Sequence, residues 1–199
     1  MLKISCEPRR ERIGCLNWPE MFPYSPDAAF EVRHTGDMLY LRFIVEEAAV
    51  RACCEADGGR AWEDSCVEFF FAPRADGLYY NLECTCTGRI LLCRGAGRHG
   101  REALPQEALR AIRRRCTLGD APFGLREKPT CWEVALDIPA STFGLETFAG
   151  LQARGNFYKC GDLLPVPHYL SWAPIDTPKP DFHRPEYFDT LIFDSLITE

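Results

Sequence analysis

The chain is patterned in twos. From Met38 to Glu46, Leu39, Leu41, Phe43 and Val45 form one apolar face. In "CVEFFF", Cys66, Glu68 and Phe70 point one way and Val67, Phe69 and Phe71 the other. A period of two is the signature of strands. Ala29–Arg33, "HTGD" and Met38–Glu46 read as a hairpin with a tight glycine turn. "CVEFFFAP", "LYYNLECTC" and "RILLCR", joined by "RADG" and "TG", predict a three-strand meander. Further strands are predicted in "RRCTLG", "CWEVALDIP", "LQARGNFYKCGD" and "TLIFD". "LPQEALRAI" predicts minor helix near residues 105–112, with Pro105 near its start. Residues 95–104 are glycine-rich and charged and read as a mobile loop, and 119–130 as another loop. Six prolines between Pro165 and Pro185 forbid a regular helix or central strand, so this tail should wrap the body as an extended segment. The pattern is all-β, a sandwich or jelly roll of two antiparallel sheets. With no internal repeat and no linker, residues 1–199 read as one domain.

Composition narrows the function classes. The hydrophobic share of 46% supports a sizeable core, and the net charge of -6 argues against nucleic acid or an anionic membrane as partner. No stretch approaches the ~20 apolar residues of a membrane span. Met1 to Glu7 carries no apolar signal core. Eleven cysteines, an odd number with several on strands, fit a reducing compartment in which buried thiols act as small hydrophobes. Both observations predict a cytoplasmic protein with reduced thiols, Cys66, Cys84 and Cys86 among the buried ones. Neither Cys84-x-Cys86 nor Cys53-Cys54 has a matching partner at zinc spacing, and His168 and His183 lie far apart in the sequence.

Glu68 is the anomaly within this pattern. A buried, unpaired carboxylate is expensive, so it needs water, a partner or a ligand. The same alternation groups Tyr79, Asn81, Glu83 and Thr85 on the next strand, Arg89, Leu91 and Cys93 on the following one, and Arg154, Asn156 and Tyr158 on a later one. Acids, amides and arginines on neighbouring strands can build a hydrogen-bonding floor for a polar neutral ligand. Cross-strand ion pairs, such as Glu68 with Arg89, explain the same residues equally well. Trp62 precedes a strand and Trp172 lies in the proline-rich tail, places where an indole can serve as a flat platform for a sugar ring. Trp18 and Trp132 read as core.

"WEDSCVEFF", "YYNLECTCTGR", "RGNFYKCGD" and "PHYLSWAPIDTPKPDFHRPEYF" together resemble the family 9 carbohydrate-binding modules, in particular the stand-alone bacterial branch called carbohydrate-binding family 9-like. The resemblance runs from about Asp27 to Phe193. It implies a jelly-roll β-sandwich in which two tryptophans clamp a sugar and charged side chains bond its hydroxyls. Carried over, Trp62 matches the first tryptophan, Glu68 the acid and Arg89 the arginine, with Trp172 as the second tryptophan. Asn81 and Asn156 join them as ligand-binding candidates from the same floor. Some relatives hold structural calcium, for which Glu46-Glu47 and Glu63-Asp64 could supply oxygens.

The function expected is therefore non-catalytic binding of a carbohydrate, a sugar or glycan end held between tryptophans over a polar sheet face. A glycan-active hydrolase is the alternative, because Glu68 and Glu83 can face each other on adjacent strands. An interaction module with a degenerate sugar site is the third. Neither a G-x-S-x-G motif nor an evident cysteine–histidine pair supports catalysis.

Overall fold

The computed structural model describes residues 1–196, so the last three residues of the expected domain lie outside the described part. The strands are β1 (Leu2–Ile4), β2 (Arg9–Arg12), β3 (Cys15–Leu16), β4 (Asp27–His34), β5 (Met38–Glu47), β6 (Val50–Ala52), β7 (Cys66–Ala72) and β8 (Tyr79–Thr85). They continue as β9 (Ile90–Gly95), β10 (Glu102–Ala103), β11 (Arg113–Cys116), β12 (Phe123–Arg126), β13 (Thr130–Pro139), β14 (Gln152–Cys160), β15 (Tyr169–Ser171) and β16 (Asp189–Phe193). One helix, α1 (Gln106–Ala111), follows Pro105, where the sequence places it. Short 3-10 turns cover Ala61–Glu63, Ala140–Phe143 and Pro185–Tyr187.

Two sheets face each other in a jelly-roll-type β-sandwich. The larger runs β1-β16-β14-β7-β8-β9-β10, with β15 and β3 added beside β14; the smaller runs β11-β13-β5-β4-β2. The expected hairpin is β4–β5, turning at Gly36, whose φ of 86° suits glycine and few other residues. The expected meander is β7–β8–β9. Two details depart from a pair of purely antiparallel sheets. β1 joins β16 in parallel, and β12 pairs with β6 in a separate ribbon, inside the segment read as a loop. The N-terminal strands are too short for a period-two signal to separate them from loop.

The two faces of the larger sheet are both buried, for different reasons. Val67, Phe69, Phe71, Leu82 and Phe157 point inward and meet Phe30, Phe43, Val134 and Leu136 of the smaller sheet. Phe30 and Phe157 stack across this layer at 3.7 Å. The outward face carries Cys66, Phe70, Tyr79, Tyr158 and Cys160, and these pack against Trp18, Ile175, Phe182 and Phe188 in a second apolar cluster. The proline-rich tail supplies most of that cover. Prolines cannot join a ladder, but an extended segment can lay its apolar side chains on one. Gly155 in β14 lets strands approach closely: a Cβ there would stand 2.7 Å from the Phe70 carbonyl oxygen.

At one end of the sandwich a charged cluster lies between the sheets. Lys159 of β14 is fully buried, with its Nζ 2.9 Å from Glu47 Oε2 and donating at 2.8 Å to both the Cys160 carbonyl and His168 Nε2. Trp132 Nε1 donates to the other Glu47 oxygen at 2.7 Å. Burial, and then the nearby Lys159 charge, hold the His168 pKa down at about 2. The imidazole is therefore neutral, accepting from Lys159 at Nε2 and donating from Nδ1 to the Val166 carbonyl at 3.0 Å.

None of the eleven thiols is paired, and Cys66, Cys84 and Cys86 are buried. Thiol titration in denaturant without reductant is expected to find most of the eleven free; five disulfides would contradict this.

Candidate functional site

A cleft of about 230 Å³ opens on the outward face of the larger sheet. Its floor comes from the centre of the meander. Glu68 of β7 and Glu83 of β8 are directly opposite each other in register, and both are 3% exposed. Trp62 and Tyr169 line the cleft, with Phe182 beside them and Asp162, Asp181, His183, Arg98 and Arg101 supplying polar groups.

Local folding fixes each wall. Trp62 sits in the 3-10 turn ahead of β7, and its carbonyl accepts from the Asp162 amide at 3.1 Å, which ties that turn to the exit of β14. Tyr169 begins β15 and packs edge-on to Phe22, with its hydroxyl beside the Asp162 carboxyl. Phe182 stacks on Tyr158 with ring centroids 4.2 Å apart. His183 Nδ1 and the Tyr79 hydroxyl are 2.8 Å apart, and an Arg101 guanidinium nitrogen, which can only donate, stands 3.1 Å from Nε2. The ring therefore accepts at Nε2 and donates from Nδ1 to the Tyr79 oxygen. Burial, followed by the charges of Arg101 and Arg98, lowers the His183 pKa to about 3, so this ring is neutral.

The two floor carboxyls behave as a pair. Burial raises the Glu83 pKa to about 7, opposed by Arg101 and by the Asn81 amide that donates to Oε1 at 2.9 Å. Glu68 is raised further, first by burial and then by repulsion from Glu83. Its Oε1 lies 3.0 Å from the Cys160 thiol, which donates to it. Two like charges on adjacent strands cannot both ionise cheaply, so the pair gives up its second proton well after its first. The floor then offers an acceptor and a donor side by side. Glu83 Oε2 is buried without a hydrogen-bond partner.

The other residues expected in the site are dispersed. Asn81 is fully buried beside Glu83 on the same face of β8, and its amide donates to the Glu83 carboxyl. Asn156 bonds the Ala173 carbonyl and amide and the Phe157 amide, pinning the tail to β14. Arg89 is not the partner of Glu68: its guanidinium donates to the Asp120 carbonyl at 2.8 Å, at the far turn of the β8–β9 hairpin beside Asp57 and Arg114. The hairpin end carries its side chain off the sheet, and Arg101 is the cation near Glu68 instead. Trp172 does not flank the cleft either. Its ring packs edge-on to Phe30 and Phe157, at 6.2 and 5.8 Å, against the inter-sheet core. Tyr169, three residues earlier, lines the cleft together with Trp62 instead.

Arg98 and Arg101 come from the loop read as merely mobile; their clustering in "GRHGR" was the available signal. Nothing periodic marks Asp162, Asp181 or His183. The acidic pairs suggested for calcium do not fit it. Glu46 is exposed and Glu47 buried on the opposite side, where it holds Lys159. Asp64 holds Arg51 and accepts from the Cys54 amide, while Glu63 pairs with Arg60.

The fold agrees with the comparisons. Residues 6–193 match the profile described as carbohydrate-binding family 9. The chain belongs to carbohydrate-binding family 9. A family-wide likeness extends to solved structures. A protein from Bacteroides uniformis, presumed to bind carbohydrate, is 38% identical, superposes with a TM-score of 0.92, and the match covers 98% of this chain and 97% of that one. A family 9 module from Caldicellulosiruptor kristjanssonii in complex with glucose has a TM-score of 0.62 at 8% identity, covering 100% and 97% of the two chains. A family 9 structure from the same organism in complex with cellotriose has a TM-score of 0.57 at 10% identity, covering 98% and 93%. At those identities the Caldicellulosiruptor structures show the shared family 9 fold. Among curated proteins none matches the sequence.

Proposed function

We propose that the protein binds carbohydrate without altering it, seating one sugar ring in the cleft between Trp62 and Tyr169. The observation that carries this reading is the Glu68–Glu83 pair buried at the floor of an aromatic-sided cleft. Apolar faces supply contact area for the C–H surface of a ring, and a few polar groups fix its orientation. A half-protonated pair accepts from one hydroxyl and donates to the next, while Arg98 and Arg101 offer further donors. The cleft is smaller than the ~300–1,000 Å³ of sites for drug-sized ligands, which suits one ring or the end of a chain. Family membership and the glucose and cellotriose held by the Caldicellulosiruptor structures support the ligand class. Hydrolysis is disfavoured because Glu68 and Glu83 rise from one sheet face, whereas a glycosidase pair flanks the scissile bond.

Calorimetric titration with glucose, cellotriose and a panel of other sugars tests this. Trp62→Ala and Glu68→Ala are each expected to cost about 1–3 kcal/mol, a tenfold to hundredfold loss of affinity, with the fold retained. Binding unchanged in both variants would place the ligand elsewhere.

A further inference from the structure

We propose that Cys66, Cys160 and Glu68 form a site for a thiophilic divalent cation, with zinc as the natural occupant, at the floor of the same cleft. The ligands come from two neighbouring strands. Cys66 and Glu68 are two apart on one face of β7, and Cys160 of β14 is the register partner of Cys66. The two Sγ atoms and a Glu68 carboxylate oxygen all lie within 4.8 Å of one another, and the Cys160 Sγ is 3.0 Å from Oε1. Tetrahedral zinc binds thiolate sulfur at ~2.3 Å and carboxylate oxygen at ~2.0–2.2 Å, which sets ligand atoms roughly 3.5–3.8 Å apart.

Three further features favour a cation here. The residues are held by two paired strands, so the geometry is fixed by a ladder rather than by a loop. Glu83, directly opposite Glu68 on the next strand, carries a buried oxygen without a hydrogen-bond partner and lines the same cleft, so a further acidic group borders the site. Glu68 and Cys160 line the cleft, which gives an ion a path from solvent and leaves its fourth position facing the ligand space. Three protein ligands and one open position is the arrangement of zinc sites that take water or a substrate oxygen. Two sulfurs select against calcium and magnesium.

Binding is an exchange of protons for metal. Each thiol gives its proton to solvent as its sulfur–metal bond forms, the Glu68 carboxyl likewise if protonated, and no electron changes hands. The spacing rules for zinc motifs miss the site because strand pairing, not a local turn, assembles it. The proposal deepens the carbohydrate reading, since the open position would take a sugar hydroxyl, but metal binding itself does not depend on that reading.

The test is titration of the reduced protein with Co²⁺ under anaerobic conditions. One equivalent is expected to produce the visible bands of a tetrahedral, thiolate-ligated ion and a near-ultraviolet sulfur-to-cobalt band, both erased by zinc. Cys66→Ala and Cys160→Ala should lower affinity by about a hundredfold or more, above the cost of losing a mere supporting contact. A double Cys53→Ala, Cys54→Ala variant, altered at the vicinal pair outside the core, should keep the bands. Zinc-edge X-ray absorption on that double variant should give a first shell with two sulfurs, which needs no core substitution. Absence of the bands, loss of them in the Cys53/Cys54 variant, or a shell without sulfur would overturn the site. Sugar titration of the metal-free protein reports separately on the cleft.

Discussion

Glu47→Ala is expected to remove about 3–5 kcal/mol of stability, the usual consequence of stripping one partner from a buried ion pair. Glu47 lies 2% exposed between the sheets, with Lys159 on one oxygen and the Trp132 indole on the other. Without it, a fully buried ammonium keeps only the neutral His168 ring and one carbonyl, and the indole N–H loses its acceptor. Against a typical stability of about 5–15 kcal/mol, that loss leaves little margin. Replacing both charges, with Glu47→Gln and Lys159→Met together, should cost far less, because the desolvation of two ions is no longer required. Urea denaturation of the three proteins at one pH measures the asymmetry. A single variant as stable as the double would show that water reaches the cluster and that the pair matters little.

Glu83→Gln should act in the opposite direction on stability while weakening ligand binding. The native Glu83 pKa is raised to about 7 from an ordinary 4.5. Between those values the unfolded chain ionises this group and the folded one does not, so stability falls as pH rises through the window. Above pH 7 the full shift corresponds to about 3 kcal/mol. Glutamine carries no charge and retains an oxygen for the Asn81 amide. The variant should match the parent near pH 4.5 and exceed it by about 1–3 kcal/mol at pH 8. Three histidines with lowered pKa values, His34, His168 and His183, give both proteins a stability loss as pH falls below about 6.5; comparison of the two cancels it. Sugar affinity should drop at least about tenfold, because the floor loses the group that shares its proton with Glu68. Greater stability with poorer binding is the mark of a residue retained for function. Denaturation curves at pH 4.5 and 8 decide the first half. A variant less stable at pH 8 would mean that Arg101 holds Glu83 ionised and that the pair is structural.

Strand content was legible because a period of two is local. The β4–β5 hairpin, the β7–β9 meander and the strand holding Trp132 follow from residues that can be read a few at a time. The same parity put Glu68 and Glu83 on one face, and that much of the site belongs to the sequence. Parity also assigned Arg89 to that face, but a hairpin end is free to turn its side chain away, and Arg89 goes to Asp120.

The sequence by itself determined a strand-rich chain, a carboxylate in an apolar strand, an aromatic just ahead of it and an extended, proline-rich tail. It did not show that Tyr169–Ser171 of that tail pair with both β14 and β3, against the expectation of no central strand there. Only the tertiary structure decided what those features do together. The tail covers the outward face of the larger sheet and so turns an exposed polar floor into a buried one. It brings Tyr169 rather than Trp172 to the cleft, and sets His183 against Arg101 from the glycine-rich loop. These contacts join segments far apart in the chain. Their energies come from burial and from charge at close range, neither of which has a period that a sequence can display.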